Sequence, residues 1–335
     1  MIDYQDILAA ADRIKSYVCN TPVIQSGKLS DELKAEVFFK CENLQKVGAF
    51  KYRGACNSIL QLSAEQKKDG IIAYSSGNHA QAVALVAREQ NIDATIVMPD
   101  NAPKIKINAT KEYGAKVVLF DPKETTREQV AIQVNPDAKL TLIKPFDNSD
   151  VIAGQGTAAL ELMTSVKDLD YLLTPCGGGG LLSGTAIIAK HLNPKIKVIG
   201  VEPELADDAA RSFYTGELHS NPNPPTIADG TRTTSMGELT FPLVRQYVDE
   251  IVTVSEDSIK RAVVFAFKHL KLVLEPSGAL PIAALMDDIS IIRLEDESSI
   301  GLEAFLPQGR IGAILSGGNI DSQLMAEILE FSTAT

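Results

Sequence analysis

The chain has 335 residues, 32 of them basic and 43 acidic, for a formal charge of −11. At roughly 150 residues per domain this length suggests about two domains, each able to bury a core without staples. A hydrophobic share of 45% and a charged share of 22% exclude a disordered chain. A pI near 5.0 with scattered lysines and arginines leaves no basic stripe for nucleic acid or an anionic membrane surface.

The chain opens on MIDYQDILAAADRIK, an amphipathic stretch unlike a secretory leader. No apolar run approaches the roughly 18 residues of a membrane span. Glu36–Cys41 is a strand candidate. Between Gly70 and Pro145, apolar β-rich runs at Ile71–Tyr74, Ala94–Met98, Lys116–Phe120 and Leu140–Ile143 alternate with helical patterns over Asn78–Gln90, Lys104–Tyr113 and Thr126–Val134. Short buried strands separated by amphipathic helices read as right-handed βαβ units on a parallel sheet.

A second α/β set follows. Strands are expected at Tyr171–Thr174, Lys197–Val201, Ile251–Val254 and Gly312–Leu315, and helices at Gly156–Ser165, Leu181–His191, Ser258–Leu274 and Ala279–Met286. Glu217–Ser235, rich in Pro, Asn, Thr and Gly, reads as a long functional loop. The first 70 or so residues cannot stand alone and are expected to join the second set. The division is then a small mobile domain, 70–147, inserted into a larger discontinuous one, 1–69 and 148–335. Cys19, Cys41, Cys56 and Cys176 form no CxxC pair. Free thiols without zinc-knuckle spacing indicate a reducing, cytoplasmic compartment.

Four loops could carry chemistry. Gly177, Gly178, Gly179 and Gly180 follow one strand and open a helix, exposing backbone N–H groups where the helix dipole is positive, which suits a phosphate. The run matches neither GxGxxG nor GxxxxGK[ST], so dinucleotides and P-loop nucleotides are disfavoured. Ser75-Ser76-Gly77-Asn78-His79-Ala80-Gln81 joins a strand to a helix at the strand's carboxyl end, where ligands sit in open α/β sheets; alone it reads equally as N-capping. His79 reads as a buried packing residue rather than a general base. Ser316-Gly317-Gly318-Asn319 is a third strand-end turn. In GAFKYRGA, Lys51 lies between aromatic residues; desolvation would turn its amine into a nucleophile or base, though a snorkelling surface lysine fits the same pattern. Glu202, Asp207 and Asp208 offer oxygen ligands for Mg²⁺ or Ca²⁺, or form a solvated acidic turn.

Taken together, GAFKYRGA, SSGNHAQA, GGGGLLSG and LSGGN, in this order, resemble the fold-type II pyridoxal-phosphate enzymes, in particular the serine racemases and serine/threonine dehydratases (ammonia-lyases). VIAGQGTAALE, IGVEPE, TIADG and LEPSGA extend the resemblance over nearly the whole chain. The resemblance implies a tryptophan synthase β-like fold with two doubly wound parallel-sheet domains. It makes Lys51 the Schiff-base lysine, with Phe50 against the cofactor ring and Asn78 on its 3′-oxygen. Gly177–Gly180 would hold the phosphate, Ser316 the pyridine nitrogen, and Glu275 of LEPSGA would lie on the cofactor. A neutral serine at the ring nitrogen makes a poorer electron sink, favouring β-elimination or reprotonation.

On the substrate side the resemblance implies Ser75, Ser76, Gly77, His79, Gln81 and, in the gating position of serine racemases, Arg127. Ser76 matches their opposite-face acid/base. Glu202, the Ala206 carbonyl and Asp208 match the family's cation site. The implied activity is loss of water from L-serine or L-threonine, giving a 2-oxo acid and ammonia, with serine racemisation sharing the carbanion. The GAFK form is associated with serine racemases and threo-3-hydroxyaspartate dehydratases, which adds a β-hydroxyaspartate as a third substrate. β-Replacement enzymes share the fold but carry a TSGNTG-like run in place of SSGNHAQA, and Lys51 speaks against a non-catalytic amino-acid-binding protein. The family further implies a homodimer, closure of the small domain and a nucleotide activator, the last without any sequence feature of its own here. The chain's end soon after LSGGN leaves no room for the regulatory domain of biosynthetic threonine deaminases.

Overall fold

The computed structural model describes residues 2–75, 77–286, 289–290, 299–300 and 309–334. Two sheets organise them. The larger runs in the order β1 (Val23–Gln25), β2 (Glu36–Cys41), β12 (Arg310–Leu315), β7 (Tyr171–Pro175), β8 (Lys197–Pro203), β9 (Glu250–Val254), β10 (Ile289–Ser290) and β11 (Ser299–Ile300). Its five central strands, β2 to β9, are parallel, and antiparallel pairs close both edges. The smaller sheet is parallel throughout, in the order β5 (Lys116–Phe120), β4 (Ala94–Pro99), β3 (Ile71–Tyr74), β6 (Thr141–Leu142). Central strands carry apolar residues on both faces, as in Leu172 with Leu173 and Val198 with Ile199, because helices cover both sides.

Three elements depart from the expectation. The helix predicted from Gly156 begins a full two turns earlier, as α8 (Ser149–Ser165), because the Asn148 side chain accepts from the Val151 amide and caps it. Ser258–Leu274 is not one helix: α12 (Glu256–Phe265) passes into a π-turn at Ala266–Leu270 and stops at Lys271 with φ 58°. The strand expected at Leu140–Ile143 shortens to two residues. The stretch expected as a long loop holds only one 3₁₀ turn, Asp229–Thr231.

Motif glycines bring the chemistry together. Helices α3 (Lys51–Leu60), α8 and α9 (Gly180–Leu192) pack backbone to backbone. A Cβ on Gly154 would meet the Arg53 carbonyl at 2.6 Å, and one on Gly184 the Ile152 carbonyl at 2.4 Å. No side chain fits between these helices, so the start of α3, which carries Lys51, is fixed beside the start of α9. Beneath Lys51, the buried Arg53 reaches Glu42 at 2.7 and 2.8 Å and Glu161 twice at 2.7 Å. Lys40 adds a contact to Glu161 at 2.6 Å.

Candidate active site

Strand ends from both sheets face one cavity of about 110 Å³. Its lining includes Phe50, Lys51, Ser75, Gly77, Asn78, His79, Arg127, Gly177–Gly180, Glu275 and Ser316. The sequence motifs therefore converge in space, although they lie up to 266 residues apart, from Phe50 to Ser316.

Lys51 starts α3, and its amine donates to the Pro145 carbonyl at 2.7 Å with the Phe50 ring 5.1 Å away. Burial lowers its pKa to about 8, against the pull of Glu275 the other way. A neutral amine with a free lone pair is thus accessible near neutral pH, which separates Lys51 from a surface lysine.

The glycine loop follows β7. Gly179 adopts φ 84° and is the residue before α9, so a side chain there would be strained. A Cβ on Gly178 would fall 2.5 Å from the Phe146 ring, and one on Gly177 2.9 Å from Thr231. Among the described residues, no acceptor takes the amides of Gly177, Gly178 or Gly179. Unpaired N–H groups at a helix start, in a loop that excludes side chains, fit an anionic group such as phosphate.

Across the cavity, α5 (Asn78–Glu89) starts after Gly77, which has no side chain to cap it. Among the described residues no Ser or Asn side chain caps it: the Ser75 hydroxyl accepts from the Gly77 amide at 3.2 Å, and Gly77, Asn78 and His79 line the cavity. The Asn78 carboxamide is fixed at both ends, its Nδ2 donating to Glu275 Oε1 at 2.6 Å and its Oδ1 accepting from Asn319 at 2.9 Å. Asn319 in turn donates to the Val47 carbonyl. His79 is buried, its Nε2 bonded to the Ile143 carbonyl at 2.9 Å. Burial and the nearby Lys51 push its pKa down to about 3, so the ring is neutral. Gln81 departs from the expectation. It is buried but does not line the cavity, which touches only the first turn of α5. Ser76 lies outside the described residues. Arg127 pairs with Glu128 at 2.7 Å and lies over the Tyr74 ring at the cavity mouth, where a second hollow of about 680 Å³ also takes in Arg232.

Two lining residues carry no motif signal. Lys106, on α6 (Lys104–Glu112), is buried against Gly77 and paired with Asp229, with Glu275 Oε2 3.9 Å away. Phe146 closes on the glycine loop from the other side. Nothing in the spacing of Lys106 distinguishes it from other helical lysines, whereas Asp229 falls in TIADG, inside the loop already marked as functional.

Apart from the cavity, Glu202 and Asp208 are fully buried at the end of β8 and the start of α10 (Asp208–Thr215), with Ala206 between them. Glu202 accepts from the Ala209 and Ala210 amides at 3.3 and 2.8 Å, while neither oxygen of Asp208 has a partner. Burial raises both pKa values, and Asp208 adds its repulsion to Glu202. The neighbouring Cys176 thiol is raised by burial and by both carboxylates. Asp207 instead turns to the surface and pairs with Arg211. No cluster of three His, Cys, Asp or Glu side chains that could hold a metal exists among the described residues, so any cation here rests on two carboxylates and backbone oxygen.

The family model described as "Pyridoxal-phosphate dependent enzyme" matches residues 14–302. The chain belongs to this family. It is 45% identical to L-threo-3-hydroxyaspartate ammonia-lyase of Saccharomyces cerevisiae, covering 97% of this chain and 96% of that one. It is 44% identical to serine racemase of Schizosaccharomyces pombe, over 97% of each. The solved serine racemase of Dictyostelium discoideum superposes with a TM-score of 0.86 at 42% identity, covering 96% of this chain and 99% of that one. As a pyridoxal-phosphate enzyme, the chain shares the two-sheet α/β fold of these relatives. Among the described residues, no helix is long and apolar enough to cross a membrane.

Proposed function

We propose that this pyridoxal-phosphate enzyme removes water from a β-hydroxy amino acid, L-serine or L-threonine, giving a 2-oxo acid and ammonia, and racemises serine at the same site. The observation that carries this reading is the half-buried Lys51 amine, lowered to about 8, in a cavity that faces the anion-accepting glycine loop. The glycine loop would hold the phosphate, Phe50 and Asn78 the ring, and Ser316 the ring nitrogen. When bound, pyridoxal phosphate acts as an electron sink that acidifies the substrate α-carbon.

This chain's own groups do the rest. The open start of α5 at Gly77–His79 takes the substrate α-carboxylate on its amides. Lys51 Nζ, neutral above about pH 8, accepts the α-proton. The Cβ–O bond then breaks, the hydroxyl leaving with a proton as water, and hydrolysis of the dehydrated product returns that water and releases ammonia. Ser76 is read as the acid/base of the opposite face, returning a proton there when racemisation replaces elimination. His79, neutral and bonded to Ile143, orients the start of α5.

Arg127 and Arg232 at the mouth favour a second reading, in which the substrate carries a β-carboxylate, as in a 3-hydroxyaspartate. We also read Glu202, the Ala206 carbonyl and Asp208 as a Mg²⁺ or Ca²⁺ site, on the strength of two buried oxygens of Asp208 without partners. The same resemblance supports a homodimer, a nucleotide activator and closure of residues 70–147 over the substrate, which would exclude water from the site. Comparing kcat/KM for L-serine, L-threonine and L-threo-3-hydroxyaspartate, with chiral analysis of residual serine, tests the reading. Release of a 2-oxo acid from at least one substrate is expected; cofactor-loaded protein that acts on none of them would overturn it.

A further inference from the structure

Among the described residues, ion pairs join the 70–147 segment to the rest of the chain at two places: Lys46–Glu89, away from the cavity, and Lys106 with Asp229 and Glu275, on its wall. Lys106 departs from the smaller sheet, on α6, and is buried between partners from the other side of the cleft. Asp229 lies in the TIADG loop, and Glu275 precedes α13 (Pro276–Met286). The Lys106 ammonium also packs against Gly77, where a Cβ would sit 3.4 Å from Nζ.

Three positions that must be aligned therefore meet at one cation. Gly77 opens the helix whose amides face the cavity. Glu275 Oε1 fixes Asn78, while its Oε2 has no hydrogen bond and faces Lys106. Asp229 carries a loop that lines both the cavity and the outer hollow. Burial alone would lower the Lys106 pKa, yet Asp229 and Glu275 more than offset it and hold the ammonium charged. Separating the two sheets here would part the Lys106 ammonium from both carboxylates, so the contacts that pair these charges are the same ones that close this wall.

We propose that Lys106 is a positioning residue that latches the TIADG loop and Glu275 of the larger unit onto the Gly77 turn of the smaller one, so that cleft closure and alignment of the substrate-side turn are one event. The latch rests on the amino-acid reading above only for the choice of substrate.

The test compares the cofactor-loaded wild type with Lys106→Met, Lys106→Arg, Asp229→Asn and the Met/Asn double variant. Hydrogen exchange is followed without substrate at residues 226–233 and, as a control, at Tyr171–Pro175. Lys106→Met and Asp229→Asn should each speed loop exchange about tenfold or more and leave the control strand unchanged. Lys106→Arg should restore most of the protection. With L-serine, the same variants should raise KM about tenfold with kcat changed less than about threefold, and the double variant should be no worse than the poorer single one. Unchanged loop exchange in both single variants overturns the latch, as do losses that multiply in the double variant. Should Lys106→Met fold poorly, Asp229→Asn alone decides through the loop exchange. Wild-type protein inert towards L-serine counts against the reaction reading, while the exchange measurement still decides the latch.

Discussion

Two ionic clusters are buried within reach of Lys51, and they are built in opposite ways. Under α3, Arg53 is matched on both sides by carboxylates from the same unit, and every charge has a near partner. Although burial opposes it, Arg53 leads the contacts that hold Glu42 below the usual carboxylate range. At the cavity wall, Lys106 bridges two units, Glu275 Oε2 is left without a hydrogen bond, and burial pushes that carboxyl up to about 7. A satisfied network fixes the helix that carries the nucleophile. An under-satisfied one can exchange partners, as the proposed closure of residues 70–147 over a substrate would require.

The contrast is broken most severely at Arg53. Arg53→Met should cost about 3–5 kcal/mol in denaturant unfolding, because Glu42 is left buried without its cation. A loss under about 1 kcal/mol would mean that the cluster is not an anchor. The third buried acid pair, Glu202 with Asp208, makes no ion pair with a lysine or arginine among the described residues. A divalent ion at about 100 times its Kd should stabilise the protein by about 2.7 kcal/mol, and Glu202→Gln should remove that response. A melting temperature indifferent to both chelator and added Mg²⁺ or Ca²⁺ would end the cation proposal.

The two clusters also differ in the sign of their pH dependence. Glu42 has a lowered folded pKa, so its contribution is present above the ordinary carboxylate pKa and is lost as pH falls through the folded value. Glu275 has a raised one, so the folded state holds its proton longer, and stability falls as pH rises from the carboxylate range to about 7. Glu275→Gln should flatten the second slope and spare the first, as read from melting curves between about pH 2 and 8. Identical profiles for variant and wild type would remove the distinction. A smaller effect is kinetic: covalent capture of added pyridoxal phosphate by Lys51, counted by mass after borohydride reduction, should rise with pH through a midpoint near 8 and then level off. A rise continuing towards about 10.4 would mean an ordinary solvated lysine.

Much of this site was legible because it is written in local chemistry. Glycine-bearing turns after strands announce backbone that must approach a ligand, and Asn78, Gly177–Gly180 and Ser316 lie in or beside such turns, while Lys51 stands at the start of α3 in a motif of its own. The central strands of both sheets were likewise readable from short apolar runs, whereas the short edge strands β1, β10 and β11 were not. What escaped is set by tertiary contact. Lys106 becomes part of the wall only because α6 packs across the cleft from Asp229. Gln81 is drawn away because the cavity stops at the first turn of α5. Helix ends failed where one side chain decides them, as Asn148 does for α8, or where a π-turn interrupts a continuous apolar pattern.

The most direct test follows 2-oxo acid and ammonia released from L-serine by cofactor-loaded wild type and Lys51→Ala. Equimolar products from the wild type, with a loss of at least about 10³-fold in the variant, are expected if Lys51 Nζ takes the α-proton. Comparable turnover by the two proteins would contradict the assignment of Lys51 on which the whole site is built.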